Sequence, residues 1–218
     1  MANVKQQLDI PAIPSLGTSG IVYSQSLQNQ NNGLLRLFFT KLVNAIQSVI
    51  GPMGGKYLNN PYGAFQDSTN QTAANTTTAY AVTFNTTDFS NGVTMASGSR
   101  ITVADSGIWN LQFSIQLKNT TSSGQDVDIW FRKNGTNIDN SNSRFHPPAR
   151  KGSGDPSHII AALNFFVEMN ESDYIEIMWR TENTGVSIEA FGTSTSPTRP
   201  AVPSVIVTMT FVSNLPTL

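Results

Sequence analysis

Asp126 and Asp128 stand two residues apart in the stretch QDVDIWFRK. In an extended strand that spacing puts both carboxylates on one face, where a pair of acids can hold a cation, share a proton or simply meet water. Arg132 falls on the same face, and a solvated ionic surface is the reading these residues favour. The Asp-x-Asp-x-Asp-Gly series that wraps calcium is absent. Glycoside hydrolysis by two carboxylates would have to rest on this pair alone. The two histidines, His146 and His158, lie in or beside a long Pro/Gly loop and lack the spacing of a helical metal pair. No Gly-x-Ser-x-Gly elbow occurs, and no glycine loop ends in the Lys-Ser/Thr that cradles phosphate. The absence of cysteine removes disulfides, thiolate zinc sites and cysteine nucleophiles. The expectation is a protein that is not an enzyme and carries no catalytic residue, metal or cofactor.

Binding is a different matter. Trp109 and Trp179 fall on apolar faces of their strands, whereas Trp130 alternates outwards, where an interface role and a ligand role are equally open. His146-Pro147-Pro148-Ala149-Arg150-Lys151 is basic and stiffened by proline. A solvated loop is the plain reading. The sharper one makes Trp130, His146, Arg150 and Lys151 a surface contact for a partner or a glycan. Only 12% of the 218 residues are charged and the net charge is −1, about half the usual charged share. Such a surface has no strong field to attract nucleic acid or an anionic membrane. The N-terminus lacks the apolar core of an export signal, and no apolar run reaches the roughly 20 residues of a membrane span. Asn-x-Ser/Thr triplets, at Asn75, Asn85, Asn119 and Asn134 among others, are read as chance in an Asn- and Thr-rich chain, not as glycan acceptors.

These side chains need elements to hold them. Residues 98–117, GSRITVADSGIWNLQFSIQL, supply two strands and a turn: Ile101 and Val103, then Trp109, Leu111, Phe113, Ile115 and Leu117, alternate with polar residues. The Ala104–Gly107 turn is read from Asp and Ser bonding the backbone and Gly taking positive φ. Further alternating runs follow at Tyr80–Phe84, Val127–Phe131, Ile159–Val167, Ile175–Trp179, Val186–Ala190 and Val205–Phe211, with turn residues every 8–12 positions. Residues 139–157 and 192–203 are read as long loops. The rhythm predicts an all-β, antiparallel sandwich or jelly roll over 63–213, with a tail at 214–218. Ile160, Ala162 and Phe166 make the second face of the 159–167 strand apolar too, so that strand is expected to be covered on both sides.

Ahead of the β domain, residues 1–30 are read as an extended arm, either a solvated tail or a segment that orders on a partner. Residues 31–50 form an amphipathic helix, capped by Asn31 or Asn32 and stopped by Gly51-Pro52. Leu35, Phe38, Leu42, Ala45 and Val49 recur at 3–4 spacing, and Phe39, Ile46 and Ile50 widen the face. That face packs either on its own domain or on copies of itself; with Leu35, Phe38, Phe39, Leu42, Ile46 and Val49 in the contact it would help to trimerise or dock the chain. Residues 51–62 are read as a hinge.

The strand–Asp-Ser-Gly–aromatic–strand pattern of 99–117, the strand pair 159–167 and 174–181, and the closing strand 203–212 resemble the C1q/TNF-like jelly roll. Residues 23–50 resemble the N-terminal segment of small fibre-like virion proteins of tailed phages, particularly marine and cyanobacterial ones. Asn32, Leu34, Leu35, Arg36, Leu37, Phe38, Phe39 and Asn44 carry that match. The resemblance implies a homotrimer on the virion surface, assembled in the host cytoplasm: a short fibre, knob or capsid decoration protein. Residues 1–50 would bind other virion proteins and the head would face outwards for host attachment. Ile160, Ala162 and Phe166 are then the expected trimer contacts in the head. A glycan-binding, lectin-like module and a tail-fibre receptor-binding protein are the alternatives. No nucleic acid and no membrane insertion are expected.

Overall fold

The structure is a computed structural model; it describes residues 11–18, 20, 22–50 and 60–215, and within the helix the side chains up to Gln47. The chain divides into two compact units, Met1–Asn59 and Asn60–Leu218.

In the first unit the helix α1 spans Gln25–Ile50, so it begins six residues earlier than its apolar spacing indicates. Ser24 is the cap: its Oγ accepts from the Leu27 N–H at 3.3 Å and its carbonyl from the Gln28 N–H at 3.0 Å. Asn31 is not a cap. Its side chain bonds Gly17 twice, accepting from the Gly17 N–H at 3.1 Å and donating to the Gly17 carbonyl at 2.9 Å. Residues 25–30 are therefore helical instead of part of the arm, and Gly17 lies close against the helix. A Cβ there would stand 2.7 Å from Leu27 Cδ1, so the end of the leucine would have to shift to admit one.

The second unit holds the strands β1 (Tyr62–Asp67), β2 (Gln71–Thr72), β3 (Tyr80–Ala81), β4 (Thr86–Asn91), β5 (Val93–Ala96), β6 (Arg100–Val103), β7 (Gly107–Asn119) and β8 (Val127–Lys133). They continue with β9 (Thr136–Asn137), β10 (Ser143–Phe145), β11 (Ser157–Met169), β12 (Tyr174–Thr181), β13 (Val186–Ile188), β14 (Ser194–Thr195), β15 (Thr198–Arg199) and β16 (Val205–Ser213). Tyr62, expected in the hinge, already belongs to β1; the rest of that hinge up to residue 59 lies outside the described residues.

Two antiparallel sheets form a sandwich. In the first, β7 is central. β11 pairs along its whole length on one side, from Ser157↔Asn119 to Met169↔Gly107. On the other side β16 and β13 share it end to end, and β1 and β4 extend the sheet beyond β16. The second sheet runs β10-β8-β12-β6-β5, with β9 on β8 and β3 on β12. β14 and β15 make a separate ribbon.

The core lies between the sheets. Trp109, Leu111, Ile115 and Leu117 face Ile129, Phe131, Ile175 and Ile177, all buried. Phe131 joins the layers, edge-on to Phe113 at 6.0 Å between ring centres and stacked on Phe165 at 4.6 Å. Burying one such ring contributes about 1.5–3 kcal/mol before ordering costs. Asn134 and Gly135 both have positive φ, 50° and 82°, which forms the two-residue hairpin that joins Lys133 to its partner Thr136. Gly107 has a different role from the one its turn suggests. It starts β7, where a Cβ would lie 2.3 Å from the Phe211 ring, so it is a packing glycine and not a positive-φ one.

Candidate functional site

The outer face of the first sheet is the most unusual surface of the β unit. Among the described residues β11 pairs only with β7, and no strand is paired to its other edge. Its burial alternates cleanly: Ala161, Val167 and Met169 point inwards and are buried, and Ile160, Ala162 and Phe166 point outwards. Phe166 is 57% and Ile160 61% exposed. The single chain therefore leaves uncovered the side that the sequence pattern expected to be covered. The residues opposite are small or amides: Ile160 pairs with Gln116, Ala162 with Ser114, Asn164 with Gln112 and Phe166 with Asn110. Asn110 donates to Asn164 at 2.6 Å. Ile206 and Val212 of β16 extend the exposed apolar set across the sheet. Two large exposed apolar residues on an unprotected edge strand, without lysine or proline among them, form a surface that isolated sheets ordinarily avoid.

At one end of this face Glu189 collects Lys118 and His158, the latter at 2.8 Å. Burial raises the Glu189 carboxyl, but the hydrogen bonds from Lys118 and His158 outweigh it and hold the group below its ordinary range.

On the helix no described side chain is fully buried. Leu35, Phe38 and Leu42 are half-buried, whereas Phe39 and Ile46 are exposed, together with Leu37 and Val43. The Val49 side chain lies outside the described residues. Phe39, Val43 and Ile46 are spaced 4 and 3, a second apolar stripe beside the one that contains Phe38 and Leu42.

The second sheet's outer face carries the polar candidates. Asp126 and Asp128 do share that face, but their partners are not Arg132, which pairs with Glu176 at 2.8 Å. Arg144 bridges both acids, reaching Asp126 at 3.1 Å and Asp128 at 2.9 Å; Arg180 adds a second contact to Asp128 at 3.1 Å. Burial raises the Asp128 carboxyl, and the two guanidinium groups more than reverse this, so it titrates below the usual aspartate range. These acids are members of an ion-pair network. Among the described residues no group of three or more His, Asp or Glu is placed to hold one.

A depressed native pKa means stability that is complete above the ordinary carboxylate range and lost as pH falls through the lowered value. Asp128, Glu189 and Asp173 are all shifted this way. The denaturant midpoint should thus stay level from about pH 7 to 5 and fall steeply below about pH 4. Asp128→Asn should lower the plateau and flatten that fall; an unchanged slope in the variant would remove Asp128 from the linkage.

The basic segment is more tightly held than its composition suggests. His146 Nδ1 lies 2.6 Å from Asp126 Oδ1. Arg150 donates its backbone N–H to the Thr121 carbonyl at 2.9 Å and its guanidinium to the Thr120 carbonyl at 3.4 Å. Lys151 bonds through its backbone to Asp155. The residue that organises the segment was not legible as such. Asn119, wholly buried at the end of β7, donates to the carbonyls of Ser123, Pro147 and Pro148 and accepts from Thr121. The same burial removes it as a glycan acceptor.

Trp130 is half-buried, with its indole N–H donated to Asn137 Oδ1 at 2.9 Å. It borders a shallow cleft of about 350 Å³ between β8, β12 and the start of the 139–157 loop. Trp130, His146, Arg150 and Lys151 are thus each held by different partners, and no hydrogen bond or ion pair among the described residues joins them into one site. No protein-family model and no curated protein matches the chain.

Proposed function

We propose that this chain is a non-enzymatic structural virion protein, a homotrimeric short fibre, knob or capsid decoration protein whose residues 60–215 form a C1q/TNF-like jelly-roll head. The observation that carries the assembly is the outer face of β11, where Ile160, Ala162 and Phe166 lie uncovered on an edge strand. Burial of those side chains against two other copies resolves both the exposed apolar surface and the open edge. The resemblance of residues 23–50 to phage fibre-like proteins supports attachment to a particle. The helix supports it as well: its stripe Phe39, Val43 and Ile46 is open to a partner, and at 26 residues it is long enough for more than three heptads. A low net charge and a surface rich in Asn, Thr and Ser suit a head that faces solvent and a host surface, not nucleic acid.

The test is the solution mass, by light scattering, of the full chain and of residues 60–218. Three chains in both are expected, because the main contact lies in the sandwich. A trimer only with the full chain would move that role to the helix and arm. A monomer in both would end the trimeric reading.

A further inference from the structure

The cleft beside Trp130 has a composition that the structural role does not use. Its floor is already neutralised, because Asp128 is held by both Arg144 and Arg180. Its wall is the indole of Trp130, fixed in orientation by Asn137. Its rim is Asp139, Asn140 and Asn142, all exposed, whose side chains have no hydrogen-bond partner among the described residues. Asn140 sits at φ 59° in the tight turn that brings the three together. An oriented aromatic wall beside several free donors and acceptors is poorly suited to an apolar ligand. It suits a ring with apolar C–H faces and a girdle of hydroxyls.

We infer that this cleft is a saccharide site for a neutral hexopyranose, with the ring stacked on Trp130 and its hydroxyls bonded by Asp139, Asn140 and Asn142. Stacking uses the electron-rich indole face against polarised C–H groups. A carboxylate accepts from two neighbouring hydroxyls, and each carboxamide both donates and accepts, as a vicinal diol requires. The volume is at the small end of ligand sites, about 300–1,000 Å³, which favours one or two sugar units over a long chain. Acidic sugars are disfavoured: both nearby guanidinium groups are engaged by Asp128, and the free charge on the rim is the Asp139 carboxylate. The cleft lies on the second sheet, and the apolar assembly face on the first. Sugar binding and trimerisation thus need not compete, and this inference does not depend on the trimer.

The full chain labelled with 5-fluorotryptophan gives three fluorine resonances, one per tryptophan, assigned by Trp130→Phe. The probes are the methyl glycosides of glucose, galactose, mannose and N-acetylglucosamine, with methyl glucuronide as the acidic comparison. The Trp130 resonance should shift saturably with at least one neutral glycoside, with a midpoint on the order of 1–10 mM, while those of Trp109 and Trp179 stay in place. Asp139→Ala/Asn142→Ala alters only exposed side chains without partners, so all three resonances should persist and the midpoint should rise at least about tenfold. A Trp130 signal unmoved by every neutral glycoside at about 100 mM would overturn the site. So would an unchanged midpoint in the double variant. Tighter binding of methyl glucuronide than of every neutral glycoside would overturn the assignment to neutral sugars.

Discussion

Phe166→Asp should convert the proposed trimer to folded monomers. In the lone chain Phe166 is 57% exposed and points away from the core, opposite Asn110. Replacing it therefore removes little intrachain packing, and the fold of the protomer should change by no more than about 0.5 kcal/mol. At an interface the same change places three carboxylates in a desolvated contact with amides and aliphatic groups. The nearest polar partners, Asn110 and Asn164, are already bonded to each other, and no cation stands opposite. Each unpaired charge costs several kcal/mol on burial. Together they should weaken assembly by at least about a thousandfold. Light scattering and circular dichroism on the same sample separate the outcomes. A monomer with an unchanged β spectrum supports the β11 face as the interface. A variant that remains fully trimeric would take β11 out of the contact and with it the main support for the proposed knob.

The sandwich was readable wherever one face of a strand is buried and the other wet. β7 and β16 show period-two alternation because the sheet geometry imposes it, whereas Glu176 and Met178 bury the second face of β12 as well. Trp109 and Trp179 lie in the core that this parity assigns to them. β11 broke the pattern with apolar residues on both faces, and the structure gives that departure a physical meaning: the second face is uncovered. The start of the helix was hidden for the opposite reason. Residues 25–33 contain one leucine among glutamines, asparagines, a serine and a glycine, so no apolar period marks them as helical, and the cap Ser24 stands in front of a segment that reads as linker.

Long-range polar pairing was legible least of all. Nothing local links Arg144 to Asp128, sixteen positions away, or Glu176 to Arg132 and Ser99. Both acids are nearly buried, and a guanidinium reaches each from another strand. Sequence parity placed Asp126 and Asp128 on the outer face correctly, and that face is a ladder of ion pairs whose arginines are still in contact with solvent. The rim of the cleft was missed as well. Asp139, Asn140 and Asn142 look like ordinary turn residues, and only the fold brings them beside Trp130.

Asn119→Ala should be among the most destabilising single changes in the β unit, about 3 kcal/mol. The side chain is wholly buried. Its Nδ2 donates to three carbonyls, Ser123 at 2.8 Å, Pro147 at 3.2 Å and Pro148 at 2.8 Å, and its Oδ1 accepts from the Thr121 N–H at 2.8 Å. The orientation of the amide is fixed by these partners, since three acceptors require the nitrogen on one side and an N–H requires the oxygen on the other. Alanine removes all four bonds and leaves the Thr121 N–H without its acceptor, at about 1–3 kcal/mol where water cannot enter, while the three carbonyls keep a second donor each, from Thr121 Oγ1, the Gln125 N–H and Ser157 Oγ. Asn119→Asp keeps the size and the acceptor but turns a carboxylate oxygen towards the three carbonyls. It should destabilise at least as much as alanine. Denaturant unfolding of both variants measures the loss, and an aspartate variant close to wild type would show that the donated bonds contribute little. Asn119 also pairs in register with Ser157, where β11 begins. Amide exchange should therefore quicken first over residues 147–157, and that local loosening would weaken the same strand whose outer face carries the proposed trimer contact.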